Sequence, residues 1–165
     1  MSQTYLIALG SNMRTVRAGP PRRVLAAALG EMEARGFRVL AAAPIVESAP
    51  VGPSRRRYAN SAALVACECS PPEALRVLQA IERDFGRSRA QRMGQRWRAR
   101  SLDLDIVLWS GGIWMDPALT IPHCELRGRD FVLGPASGIA GKWRDPVSGL
   151  SLAQLRARLA APRKT

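Results

Sequence analysis

The chain has 165 residues, 47% of them hydrophobic, and a formal net charge of +12. That length and composition fit one globular domain over residues 1–165 with a real core, and exclude a disordered polymer. No apolar run is long enough to span a bilayer, and Met1 to Gly10 reads as a strand rather than a signal peptide. A cytoplasmic protein with no membrane partner is therefore expected. The positive charge attracts polyanions, either nucleic acid or nucleotide phosphates, without choosing between them. Lys142 and Lys164 are the only lysines, so nearly all of that charge is arginine. The three cysteines, Cys67, Cys69 and Cys124, are too few and too uneven for a disulfide framework. Cys67 and Cys69 share a strand face, but no second Cys or His cluster completes a metal site, so they read as small buried apolar residues.

In chain order, Thr4 to Leu9 is a β-capable apolar run stopped by Gly10-Ser11-Asn12. Gly19-Pro20-Pro21 punctuates a loop. From Arg22, Val24, Leu25, Leu29 and Met32 follow helical spacing, and Gly36 closes that helix. Phe37 to Val46 reads as a second strand, Ala49 to Arg57 as a loop, and Tyr58 to Cys69 as a third strand. Ser70-Pro71-Pro72-Glu73 has the cap, early proline and early acid of a helix start. Leu75, Leu78, Ile81 and Phe85 form one face of that helix, which ends at Gly86. A basic loop, Arg87 to Arg100, leads into a fourth strand, Leu102 to Trp109. Gly111-Gly112 turns into a short apolar segment, and Ser151 to Leu159 reads as a terminal helix. The order is βαββαβ with C-terminal additions. It predicts an α+β, ferredoxin-like fold, an antiparallel sheet with two helices on one face and the other face free for a ligand.

The most informative stretch is Arg100 to Ile106, R-S-L-D-L-D-I. Strand alternation points Asp103 and Asp105 to one side, with Leu102, Leu104 and Ile106 on the other. Two adjacent carboxylates repel, and hard divalent cations that also bind phosphate oxygens would offset that repulsion. Two solvated acids on an exposed strand face fit the same pattern. Six arginines, Arg87, Arg89, Arg92, Arg96, Arg98 and Arg100, precede the acidic strand in one loop. Guanidinium groups bind polyphosphate oxygens bidentately and stabilise charge on a transferring group. A merely solvated basic loop shares that spacing.

The run from Ile81, I-E-R-D-F-G-R-S-R, followed by R-W-R-A-R-S-L-D-L-D-I, closely resembles the 6-hydroxymethyl-7,8-dihydropterin pyrophosphokinase family. Ala8-Leu9-Gly10-Ser11-Asn12 resembles its opening strand and loop. Pro50-Val51-Gly52 and Tyr58-Ala59-Asn60 are similar to its pterin-side segment. Ile121-Pro122-His123, Arg129-Asp130-Phe131-Val132-Leu133, Asp145-Pro146 and Gly149 follow its later pattern. The matches run in order along most of the chain.

The resemblance implies transfer of pyrophosphate from ATP to 6-hydroxymethyl-7,8-dihydropterin in folate biosynthesis, with AMP as the other product. It implies two Mg²⁺ ions at Asp103 and Asp105, and Arg87 and Arg100 acting on the transferring phosphates. Gln79, Glu82, Arg89, Arg96, Trp97, Ile106, Thr120, His123 and Arg129 match ATP-side positions. Ser48, Val51, Tyr58, Asn60, Trp97 and Phe131 match the pterin side, where aromatic faces and an amide suit a flat ring with amide-like edges. A monomer acting on these small molecules, without nucleic acid, is expected. Trp97-Arg98-Ala99-Arg100 stands where the family has Trp-Gly-Pro-Arg, which bears on the stiffness of the loop. Two rivals share features with this reading. A basic ferredoxin-like RNA-binding module has the same element order, but Asn60 to Ala66 lacks the aromatics that stack bases. A catalytically weak relative would keep the pterin or nucleotide site and lose turnover.

Overall fold

The computed structural model describes residues 1–16, 18–48, 57–86 and 101–162. Its first strand, β1 (Gln3–Ser11), alternates two sets of side chains to opposite faces. α1 (Pro21–Ala34) begins at a proline, which needs no amide partner there, and is followed by Gly36 at φ +95°. The expected second strand is two: β2 (Arg38–Ala42) and β3 (Val46–Ser48). Pro44 lies between them and has no N–H to give a ladder. Both pair with β4 (Tyr58–Cys67), Ala42 opposite Ala63 and Val46 opposite Asn60.

α2 (Pro71–Asp84) starts where expected, and the Glu73 carboxylate accepts from the Ser70 N–H at 2.8 Å. β5 (Asp103–Trp109) follows, then a small hairpin of β6 (Trp114–Met115) and β7 (Thr120–Ile121). A 3₁₀ turn at Leu126–Gly128 leads into α3 (Asp130–Ala140), and α4 (Leu152–Ala160) follows a Ser151–Gln154 capping box. The sheet order is β2-β4-β1-β5, wholly antiparallel, with β3 on the same side of β4 as β2. This is the expected α+β arrangement.

Two cores sandwich the sheet. Tyr5, Ile7 and Leu9 of β1, with Val65, Leu104 and Ile106, pack against Val24, Leu25, Met32, Leu78 and Ile81 of α1 and α2. Each such fully buried side chain contributes about 1.5–3 kcal/mol relative to exposure. Leu6, Ala62, Val107 and Leu108 pack the other way, against Leu133, Ala136, Leu152 and Leu155 of α3 and α4. The expectation of a second face left free is therefore corrected. The C-terminal helices cover half of it, because Leu6, Ala62 and Val107 put apolar surface there that must leave water. The strand ends beyond Ala8 and Ala62 form the other half, where the polar residues gather. Among the described residues no helix is long and apolar enough to cross a membrane.

Candidate active site

Register fixes the floor of the site. Gly10 of β1 lies opposite Asn60 of β4 on one side and Asp103 of β5 on the other. Ala8, one step deeper, lies between Ala62 and Asp105. Because Ala8 and Ala62 belong to the face covered by α3 and α4, strand alternation puts Gly10, Asn60, Asp103 and Asp105 on that face too. Asn60 and Asp103 are thus two strand spacings apart, about 10 Å between Cα atoms. A methyl group built on Gly10 would meet Asn60 Oδ1 at 3.4 Å, so the amide leans over the glycine. Opposite Asn60 on β3 stands Val46, and Tyr58 and Ser48 form the next pair on the same face, two residues further along their strands.

β5 is an edge strand, and its outer edge is managed by α2. Glu82 is 3% exposed, and its Oε1 accepts from the Leu104 N–H at 2.8 Å. A carboxylate thus holds the peptide between the two aspartates. Ser11, at the end of β1, donates its hydroxyl to the Ser101 carbonyl at 2.6 Å and fixes the entry to β5. Val107 has no partner of its own where the β1–β5 register slips, the mark of a bulge. Its carbonyl accepts from the His123 N–H at 3.0 Å. That bond sets the imidazole beside β5, with Nε2 3.9 Å from Asp105 Oδ2. The Glu125 N–H donates to His123 Nδ1 at 3.2 Å, so a neutral ring carries its proton on Nε2, toward Asp105.

The 123–129 turn is anchored from behind. Asp145 is fully buried and takes a bidentate pair of bonds from Arg127, at 2.7 and 2.8 Å. It also accepts from Val147 N–H and Ser148 Oγ. Burial alone would push this carboxyl up, but Ser148, the Val147 amide and Arg127 outweigh it and hold the pKa below the usual value. Arg129 follows the turn. It pairs with Glu125 and lies over the Phe131 ring, 5.4 Å from its centre.

The structure therefore gathers Asp103, Asp105 and His123 at one end of the row and Asn60, Tyr58 and Ser48 at the other. Arg129 and Phe131 stand at the start of α3, with Phe131 half exposed. Gln79 is on α2, one turn before Glu82. The Ile106 side chain is buried under α1 and α2, away from the aspartates, so only its backbone can face a ligand. Thr120 is exposed on β7. Val51, Arg87, Arg89, Arg96, Trp97 and Arg100 lie outside the described residues. Sequence reasoning missed the supports: the Ser11–Ser101 tie, the Glu82–Leu104 bond, Glu125 and the Arg127–Asp145 clamp. For Glu125 a signal was present, an acid four residues before Arg129. The others are long-range pairings that no local pattern announces.

Among the described residues no group of three or more His, Cys, Asp or Glu side chains is placed to hold a metal. The donor set at Asp103 and Asp105 is two carboxylates. That suits Mg²⁺, which binds through one or two carboxylates and completes its shell with phosphate and water, and does not suit a closed protein cage.

Comparison with known proteins bears on the family and the fold. The sequence model of the family described as 7,8-dihydro-6-hydroxymethylpterin-pyrophosphokinase matches residues 6–141. The chain is 35% identical over 151 residues to the 2-amino-4-hydroxy-6-hydroxymethyldihydropteridine pyrophosphokinase of Synechocystis, covering 91% of this chain and 73% of that one. It is 36% identical over 148 residues to the protein of the same description from Pseudomonas aeruginosa, covering 88% and 86%. Its fold superposes with a TM-score of 0.70 on the crystal structure of Plasmodium falciparum HPPK-DHPS with pteroate, at 11% identity. That match covers 96% of this chain and 42% of the Plasmodium one.

Proposed function

The chain belongs to the 7,8-dihydro-6-hydroxymethylpterin-pyrophosphokinase family, and from that premise we propose how its open half-face performs the family's reaction. The enzyme transfers pyrophosphate from ATP to 6-hydroxymethyl-7,8-dihydropterin, a step of folate biosynthesis. The observation that supports the site assignment is the single row Asn60–Gly10–Asp103 across three strands. It offers a hydrogen-bonding amide at one end, a carboxylate pair at the other, and a floor without a side chain between them.

In this reading Asn60 bonds the amide-like edge of the pterin, while Tyr58 and Phe131 supply aromatic cover and Ser48 closes the β3 side. Orientation along the row points the hydroxymethyl group at Asp103 and Asp105. Mg²⁺ held by these two carboxylates, with two ions expected, supplies Lewis acidity toward the phosphates and the attacking hydroxyl. The hydroxymethyl oxygen releases its proton to solvent and forms a bond to the β-phosphorus of ATP. The bond from that phosphorus to the oxygen bridging to the α-phosphate breaks, and AMP leaves. Little covalent chemistry falls to the protein, which aligns the groups and neutralises charge. His123 Nε2 and the Arg129 guanidinium are the described donors for the phosphates; Arg87 and Arg100, outside the described residues, act on the transferring phosphates in this reading, and Arg89 and Arg96 add further nucleotide contacts. Gln79, Thr120 and the Ile106 backbone serve the nucleoside end. Glu82 acts there through β5, since one of its oxygens is committed to Leu104. The protein is assigned to the cytoplasm and acts as a monomer. The RNA-binding alternative is not favoured, because two aspartates on the open face oppose a phosphate backbone.

Product analysis tests the reading. Purified protein with ATP, Mg²⁺ and 6-hydroxymethyl-7,8-dihydropterin should yield AMP and pterin diphosphate in equal amounts. ADP as the nucleotide product would overturn it.

A further inference from the structure

We infer that Glu125 is a positioning residue for the phosphate end of the site: its carboxylate holds Arg129, beside the His123 ring that its backbone N–H fixes. The inference rests on the proposed roles of those two residues and extends them to a third that touches no substrate. Three contacts carry it. The Glu125 N–H donates to His123 Nδ1 at 3.2 Å, which fixes the ring and leaves Nε2 facing Asp105. The Glu125 carboxylate pairs with Arg129, and the oxygen engaged is shielded from solvent. Arg129 is held at the same time by its face, over Phe131.

The geometry of arginine makes this arrangement useful. A guanidinium presents five N–H donors around a plane, so one edge can be held by a carboxylate while another edge is offered to a phosphate. Held by Glu125 at one edge and by Phe131 on its face, Arg129 loses little further rotamer freedom when a phosphate arrives. A loose arginine on the same turn would lose that freedom on binding. Glu125 also subtracts one charge from the site, so a purely electrostatic account gives the opposite expectation, that it weakens phosphate binding. The turn has ties besides the Glu125 carboxylate. His123 N–H is bonded to Val107, Leu126 N–H to the His123 carbonyl, and Arg127 to Asp145. The carboxylate can therefore be removed without dismantling its surroundings.

Steady-state kinetics of Glu125→Ala, Glu125→Gln, Arg129→Ala and the double variant Glu125→Ala/Arg129→Ala test this, each with its melting temperature. Glu125→Ala should lower kcat/KM for ATP about tenfold, the scale of one charge-assisted hydrogen bond, and leave the KM for the pterin unchanged. Glu125→Gln, which keeps an acceptor oxygen, should lose less. In the Arg129→Ala background, Glu125→Ala should add nothing, because its partner is already gone. Unchanged or improved kcat/KM in Glu125→Ala would overturn the inference in favour of simple charge competition. So would a full loss that persists without Arg129, or a lowered melting temperature with unchanged kinetics in both Glu125 variants. If Arg129→Ala and His123→Ala both leave kcat/KM for ATP intact, the underlying site reading fails and the inference falls with it, a result distinct from failure at Glu125 alone.

Discussion

One face of the sheet serves two purposes, and the same three strands build both. Toward one end, Leu6, Ala62 and Val107 lie beneath α3 and α4 in a sealed apolar layer. Two to four residues further along each strand the side chains become Gly10, Asn60 and the pair Asp103 and Asp105. Each half also holds acid differently. Asp145 in the sealed half is fully buried, bonded by an arginine, a hydroxyl and an amide. Asp105 in the open half keeps more than a third of its side chain exposed, at 37%. A carboxylate bonded by several donors and cut off from water is architecture; two carboxylates on one partly exposed face suit the cations proposed for them.

The largest effect separates these two kinds of acid. Asp145→Ala leaves Arg127 without its partner and the 145–150 loop without its hub. Breaking such a buried pair should cost about 3–5 kcal/mol of stability, read as a lower denaturation midpoint. The sign with pH follows from the depressed pKa. A carboxyl held below its unfolded value of about 3.9 contributes stability above that value, and the contribution fades as pH falls through the folded one. Wild type and variant should therefore differ fully at pH 7 and converge in strong acid. A difference that stays constant down to pH 2 would remove the charge from the explanation.

The open half should break in the opposite way. Asp103→Ala or Asp105→Ala should lower kcat by about 10²–10³-fold, about 2.7–4 kcal/mol of transition-state stabilisation, with no loss of melting temperature. Turnover near the wild-type level in both would take the pair out of the mechanism and with it the contrast to Asp145.

Much of this division was legible in the sequence, and the illegible parts share a cause. The L-D-L-D-I alternation placed both aspartates on one face, and the βαββαβ order gave the sheet its pairing. Ser70 and Glu73 announced the start of α2. What the sequence did not reveal is that α3 covers half of the face beside those aspartates. Asp130 to Ala140 contains Gly134, Pro135 and Gly138, which weigh against a helix by local propensity. Burial of Leu133 and Ala136 against β-strand residues overrides that preference. Likewise the one-strand reading of Phe37 to Val46 missed the break at Pro44. Glu82 matched a nucleotide-side position by resemblance, yet its bond to Leu104 depends on α2 meeting β5, 22 residues later. Local pattern reports which way a side chain points; what it meets there is settled by elements far away in the chain.

The smallest predicted effect falls on the boundary between the halves, at Gly10. Its backbone is not in the left-handed region, so glycine is not required there for conformation. A methyl group would stand 3.4 Å from Asn60 Oδ1, an ordinary contact, so Gly10→Ala should fold with a near-normal melting temperature. The same methyl group would rise from the floor between Asn60 and Asp103, where the proposed pterin lies. Crowding of that kind should cost about 1–3 kcal/mol of binding, read as a higher KM for the pterin with the KM for ATP little changed. That outcome would mean that glycine is present because the ligand needs the space, and that the row across β4, β1 and β5 is the pterin's bed. An unchanged pterin KM in a folded Gly10→Ala enzyme would mean that the ring lies clear of β1, and the row would lose its claim to orient the hydroxymethyl group toward Asp103.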